Sequence, residues 1–190
     1  VYKRQGLVKS DNAQDDAGIT QDFDFAELMD GAYGYLPNDR RHTFKAYGSY
    51  SLTEDLTLGA NFILSSGRPL NAFGIGHPNG VPSYGDTFYV CADNCTDDTV
   101  ENEYTKFNRG SYGRTDWTPR LDLNVTYNLS LYETEVVLRA DVFNVLNAAS
   151  VQRRNETAEL SFPGDTNPRF MAATSYQTPR YVQVSAGIEF

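Results

Sequence analysis

The side chains of this chain with the means to do chemistry are few in kind: two cysteines, two histidines and a large stock of carboxylates and tyrosines. Cys91 and Cys95 lie in the stretch CADNC. A structural zinc site takes four ligands, and His77 is the one further ligand placed to assist, so no metal centre is expected. In an oxidising compartment the two cysteines form a disulfide. The acidic runs DNAQDDAG (Asp11–Gly18) and TDDTVENE (Thr96–Glu103) carry the oxygen ligands that Ca²⁺ takes. Neither has the spacing of an EF-hand loop. Solvation of exposed loops is the plain reading, and a loop Ca²⁺ site its alternative. Catalysis has less support. A Ser-His-Asp triad needs a histidine held by an acid and touching a nucleophile. Neither His42 nor His77 has a serine in a G-x-S-x-G turn to serve. No catalytic residues, and so no enzyme, are expected. What remains for binding is aromatic: Tyr84, Phe88, Tyr89 and Tyr104 share one long irregular stretch, and ligand contacts concentrate on loops.

Segments of another kind must position these loops. Five stretches, near 42–52, 56–65, 120–127, 135–143 and 180–190, alternate apolar and polar residues with the period of a β-strand. In the first, Phe44, Ala46, Gly48, Tyr50 and Leu52 share a face; in the last, Val182, Val184, Ala186, Ile188 and Phe190 do. The opposite faces hold Lys45, Asn61, Asp122, Asn124, Arg139, Asp141 and Glu189. Burying such groups dry and unpaired is costly, so this face meets water or polar protein and not a second apolar layer.

Connection length alternates as well. Thr53–Asp55 joins the first two strands and NLSLYET the third and fourth, whereas 6–40, 67–118 and 147–178 are long loops. Every long loop therefore lies at one end of the sheet. Short turns at one end and long external loops at the other is the pattern of an outer-membrane β-barrel. The strands also have about the 9–11 residues that cross a bilayer at a tilt. Tyr50, Tyr127 and Phe190 fall on the apolar face toward the short-turn end, where an interfacial aromatic girdle belongs. Outer-membrane lipid is thus the first expected partner. A soluble β-sandwich, such as a carbohydrate-binding module, is the rival. It requires Leu58, Phe62, Leu123, Val125 and Leu138 to pack on a second sheet.

Composition agrees. The hydrophobic fraction is 40%, mean hydropathy is −0.50, and no apolar run is long enough for a membrane-spanning helix. A net charge of −9 argues against a nucleic-acid partner, because phosphate binding takes a basic stripe. Most of the 25 acidic residues fall in the three long loops. Outside the membrane, Cys91 and Cys95 are expected to close a tight disulfide loop. The first five residues, VYKRQ, resemble the translated read-through of a transposon adaptor used in sequencing libraries. They are set aside as an artefact, and residues 6–190 read as the C-terminal part of something longer.

The runs LPNDRRHTFKAYGSY (Leu36–Tyr50), LTLGANFILSSGRP (Leu56–Pro69), ADVFNVLN (Ala140–Asn147) and TPRYVQVSAGIEF (Thr178–Phe190) resemble the C-terminal barrel of TonB-dependent outer-membrane receptors. The likeness is to the Oar-like branch, which carries a carboxypeptidase-regulatory-like domain at its N-terminus. It implies an all-β fold: about five antiparallel strands that end a barrel of about 22. It implies a bacterial outer-membrane receptor that binds a scarce ligand, a small molecule, oligosaccharide or peptide. Import would be driven through the TonB complex by an N-terminal part outside this chain. Val182, Val184, Ala186, Ile188 and Phe190 look like the signal read by the barrel-assembly machinery. Tyr47, Asn61, Arg139, Asp141 and Tyr181, on the lumen side, are expected to touch a plug domain. Arg40–Arg41–His42 and Ser66–Gly67–Arg68 are expected to pair with carboxylates at the rim. Adhesion or surface assembly on the same fold is the functional alternative.

Overall fold

A computed structural model of the chain describes residues 2–5, 9–10, 25–80, 85–96, 101–132 and 134–189. In chain order the elements are β1 (Tyr2–Gln5), β2 (Lys9–Ser10), α1 (Ala26–Met29), β3 (Gly34–Tyr35), β4 (His42–Ser51), β5 (Leu56–Ser65), β6 (Tyr89–Asp93), β7 (Glu103–Lys106), β8 (Thr118–Leu131), β9 (Thr134–Phe143), β10 (Val151–Arg154), β11 (Ala173–Tyr176) and β12 (Tyr181–Glu189). A six-stranded antiparallel sheet in the order β1-β4-β5-β8-β9-β12 carries the architecture. It is open, with β1 and β12 at its edges. In β1, Tyr2 stands opposite Lys45 and Gln5 opposite His42. Backbone pairing has no side-chain signature, so any extended segment fits this edge.

The register explains why these strands pair as they do. On one face Phe44 stands opposite Leu64, Ala46 opposite Phe62 and Tyr50 opposite Leu58. The same face continues with Leu58 opposite Val125, Ala60 opposite Leu123 and Leu56 opposite Tyr127. It runs on through Val125–Ala140, Tyr127–Leu138, Val182–Val142 and Ile188–Val136. A slip of one residue in any strand would turn its apolar set to the other side. The opposite face aligns Asn61 with Asp122, Asn124 with Asp141, and Thr126 with Arg139.

Among the described residues no second sheet covers the apolar face. Leu58, Leu123, Val125 and Leu138 remain 38–42% exposed, and Val184 is 75% exposed. The sandwich rival needed these residues buried. The buried apolar residues lie in the loops instead: Leu28, Ala32, Leu70, Ala72, Phe88 and Ala158. A long sheet with one face apolar and uncovered is built for hydrocarbon.

Two expectations need adjustment. The third strand runs beyond 120–127 to become Thr118–Leu131, so two residues and not the whole of NLSLYET separate it from β9. Polar Asn128 and Ser130 alternate with Leu129 and Leu131 and keep the strand period to the turn. Tyr127 is therefore level with the start of β5, opposite Leu56, and Tyr132 occupies the turn in a left-handed conformation with φ of 54°. The long loops are also partly structured. The two-residue β2 pairs with β3, β6 with β7, and β10 with β11. Such strands are too short to show a period in sequence. Phe190, of the expected girdle and assembly signal, lies outside the described residues.

The two faces should respond oppositely to charge. Val125→Arg, in the middle of the lipid face, is expected to cost about 2–4 kcal/mol, whereas Ser49→Arg on the other face is expected to be nearly neutral. Urea titration of protein refolded into lipid vesicles measures both; equal effects would contradict the assignment of faces.

Candidate functional site

The described parts of the loops are linked to one another by polar contacts, and their attachment begins where strands become loops. After β5 the chain turns through Ser66–Gly67–Arg68. Ser66 N donates to His42 O (2.8 Å), His42 N donates to Ser66 Oγ (3.0 Å), and Arg40 Nη1 donates to Ser66 O (3.0 Å). Glycine is required at position 67, because a Cβ there would stand 1.7 Å from the Thr115 carbonyl oxygen. Thr115 N then donates to Arg68 O (2.9 Å), Arg68 N donates to Thr115 Oγ1 (3.0 Å), and the Arg68 guanidinium forms an ion pair with Glu156. Asp39 is wholly buried and accepts from Arg114 Nη2 (2.5 Å), while Arg114 Nη1 donates to the carbonyls of Asp39 and Gly67. The expected pairing of rim arginines with carboxylates is thus present for Arg68 with Glu156, and more loosely for Arg41 with Asp39 at 3.9 Å.

The segment after β9 is held by two asparagines. Asn144 and Asn147 adopt φ of 49° and 48°, a left-handed conformation that asparagine tolerates better than most residues. Asn144 N donates to Asp122 Oδ1 (2.9 Å), and its side-chain amide donates to the carbonyls of Ala148 (2.9 Å) and Thr178 (2.8 Å). Arg180 N donates to Asn147 Oδ1 (3.0 Å). The motif FNVLN therefore ties β8, β9 and the start of β12 together.

Carboxylates from distant loops then knit the layer. Glu159, 2% exposed, accepts from the backbone amides of Ile75 (2.9 Å), Cys91 (3.0 Å) and Gly164 (2.8 Å). Glu156 accepts from Asn71 N (2.9 Å) and Asn71 Nδ2 (2.6 Å) besides Arg68. Asp30 receives Lys106, the Tyr89 hydroxyl and His77 Nε2 (3.3 Å). Burial alone would push the Asp30 carboxyl up, but the hydrogen bonds from Lys106, Tyr89 and His77 outweigh it and hold the pKa at about 2. The same Asp30 hydrogen bond pushes the Lys106 ammonium up. Burial, and then the bond to Asp30, push the Tyr89 phenol up.

The expected ligand aromatics divide. Tyr84 lies outside the described residues. Phe88 is corrected from a ligand contact to a core residue: it is 1% exposed and packs on Ala32, Met29 and Phe73. An apolar ring in a loop is the natural filler for a small core, which its position alone did not show. Tyr89 and Tyr104 are half-buried neighbours, with ring centroids 6.5 Å apart. The Tyr89 hydroxyl is held by Asp30, and the Tyr104 hydroxyl accepts from Asn102 Nδ2 (3.2 Å). Cys91 and Cys95 are joined by a disulfide at the end of β6. Of the acidic runs, 11–18 and 97–100 lie outside the described residues, and no cluster of potential metal ligands occurs among the described ones. Tyr50 is 71% and Tyr127 40% exposed on the apolar face. On the other face Arg139 Nη2 and Asp141 Oδ1 form an ion pair at 2.7 Å. Sequence reasoning missed Glu156 and Glu159: acids in a loop read as solvated, and no local pattern announces a carboxylate that accepts from amides far along the chain.

These features define an all-β protein whose open antiparallel sheet, apolar on one face, is consistent with part of an outer-membrane-type β-barrel. The chain is similar to the TonB-dependent transporter Oar of Myxococcus xanthus, at 27% identity over 224 residues that cover 97% of this chain and 19% of that protein. It thus spans about a fifth of the length of the curated relative it matches. No protein-family model and no solved structure matches it.

Glu159→Ala is expected to cost the loop layer about 3 kcal/mol, since each buried donor left without a partner costs about 1–3 kcal/mol. Hydrogen exchange read at Ile75, Cys91 and Gly164 should accelerate together, and acceleration at one alone would break the shared-carboxylate reading. Asp30 makes the docking acid-sensitive. Its folded pKa is about 2 against the ordinary 3.8, so its contribution is complete above the ordinary value and is lost as pH falls through the folded one. Protection of β6 and β7 should fall over that window, and Asp30→Asn should flatten the pH profile.

Proposed function

We propose that this chain is the C-terminal β-barrel part, within residues 6–190, of a bacterial outer-membrane receptor. The receptor captures a scarce extracellular ligand and imports it with TonB-coupled energy. The observation that carries the reading is the sheet itself: among the described residues one face is apolar and uncovered and the other polar. The likeness to a TonB-dependent transporter supports the same reading. The apolar face meets lipid, the polar face meets a plug domain, and coupling to TonB belongs to a part outside this chain. The apolar set Val182, Val184, Ala186 and Ile188, continued by Phe190, is offered to the barrel-assembly machinery and then to the closing strand. Of the loop aromatics, Tyr89 and Tyr104 together with Tyr84 are the ligand contacts, and Phe88 supports them from beneath.

The test is uptake by cells carrying the complete receptor. Accumulation of ligand should stop when TonB is deleted or the proton gradient is collapsed, while surface binding persists. Alanine at Tyr84, Tyr89 and Tyr104 should weaken binding. Accumulation indifferent to TonB would sink the transport reading, and binding with no accumulation under any condition would point to adhesion or surface assembly.

A further inference from the structure

The disulfide closes a small ring at the end of β6. Cys91 and Cys95 are four positions apart, and a ring so small takes little chain entropy from the unfolded state. Its consequence is therefore local. Both cysteines are half-buried, while Ala92, Asp93 and Asn94 between them are exposed, so the described surroundings leave the cross-link open to a small thiol. Inside the ring Asn94 turns the chain with φ of 53°, and its amide donates to Asp93 Oδ1 (2.8 Å).

The ring is a contact between two long loops. Cys95 packs on Gly164, of loop 147–178, so closely that a Cβ on that glycine would stand 2.3 Å from Cys95 Cβ. Glu159, of the same loop, accepts through Oε1 from both Cys91 N (3.0 Å) and Gly164 N (2.8 Å). The two ends of the ring are thus held on loop 147–178, one by shape and the other by a buried carboxylate. The ring is also joined to Tyr104. Thr96 N donates to Asn102 Oδ1 (2.9 Å), and Asn102 Nδ2 donates to Thr96 O (2.9 Å) and to Tyr104 Oη (3.2 Å). A movement of Cys95 therefore reaches the Tyr104 hydroxyl through Thr96 and Asn102.

We infer that the Cys91–Cys95 ring is a redox-sensitive clasp. Intact, it holds the end of β6 in the shape that docks on Gly164 and Glu159; reduced by a small thiol of the medium, it releases that end from loop 147–178. The chemistry is thiol–disulfide exchange. A thiolate attacks one cysteine sulfur, the Cys91–Cys95 bond breaks, and a mixed disulfide forms that a second thiol resolves. Two small thiols are oxidised to one disulfide, and the two electrons and two protons end on Cys91 and Cys95 as thiols. Sulfurs no longer bonded must separate to van der Waals contact, and close packing leaves Cys95 no room to move toward Gly164. The clasp goes beyond the receptor reading; only its consequence for binding, through Tyr104, rests on that reading.

The test is hydrogen exchange on the complete receptor in detergent, before and after dithiothreitol, with free thiols counted by maleimide labelling. Two thiols should be released, and the amides of Cys91, Thr96 and Gly164 should exchange about tenfold faster, as for the loss of one hydrogen bond. Ile75, held by Glu159 Oε2, and the strands β4, β5, β8 and β9 should keep their protection. Reoxidation should restore the slow rates. Cys91→Ser combined with Cys95→Ser should show the fast rates from the start and ignore dithiothreitol. Should that double variant not fold, reduction and reoxidation of the unaltered protein carry the test. Two thiols released with exchange unchanged overturn the proposal, and so does a cross-link that dithiothreitol leaves intact in the folded protein. Acceleration across the main sheet overturns it too, since the cross-link would then hold the whole fold and not the loop contact. Undocking in a receptor that imports nothing supports the clasp and refutes the transport reading alone; energised import with no undocking refutes the clasp alone.

Discussion

A β-sheet whose backbone donors and acceptors are consumed by its neighbours has two faces left to satisfy, and in this chain they make opposite demands. From Phe44 across to Val182 one face is a carpet of apolar pairs with none of the described residues over it. In water such a surface would aggregate; in hydrocarbon it is the solvated state. Everything else follows from that division. Because apolar side chains take one side, carboxylates, amides and guanidinium groups are confined to the other side and to the loop end. There they must find partners within the protein or in water.

The loop layer solves this with buried acids as acceptors. Glu159 collects backbone amides from three separate loop positions, Glu156 joins Arg68 to Asn71, and Asp39 takes Arg114. A carboxylate has room for several donors, so one side chain can staple several strands of irregular chain whose own amides have no ladder to join. The apolar core of the layer is small, centred on Phe88 and Ala32. Polar connections therefore take a larger share of its specificity than they would in a larger core. The same arrangement places Tyr89 and Tyr104 side by side and ties their hydroxyls to Asp30 and Asn102.

The short motifs at the strand ends act as hinges between the two regimes. Gly67 lets the chain pass against the Thr115 carbonyl, and the paired asparagines of FNVLN turn the chain after β9 and return it to β12. Each is a place where strand period ends and the path of a long loop is set. That accounts for their distinctness in the sequence, where the loops they anchor have no recognisable pattern.

The alternation of the five main strands, their face assignment and the placement of all long loops at one end were legible in the sequence, because side-chain period is a local property of an extended chain. So was the pairing of Cys91 with Cys95, because they are the two cysteines of the sequence. Strand ends were less legible, as in β8, where polar and apolar residues keep alternating into the turn. The short strands in the loops, the burial of Phe88 and the stapling by Glu156 and Glu159 were decided only by tertiary structure. Each depends on residues far apart in the chain meeting across the sheet, and no local period or spacing encodes such a meeting.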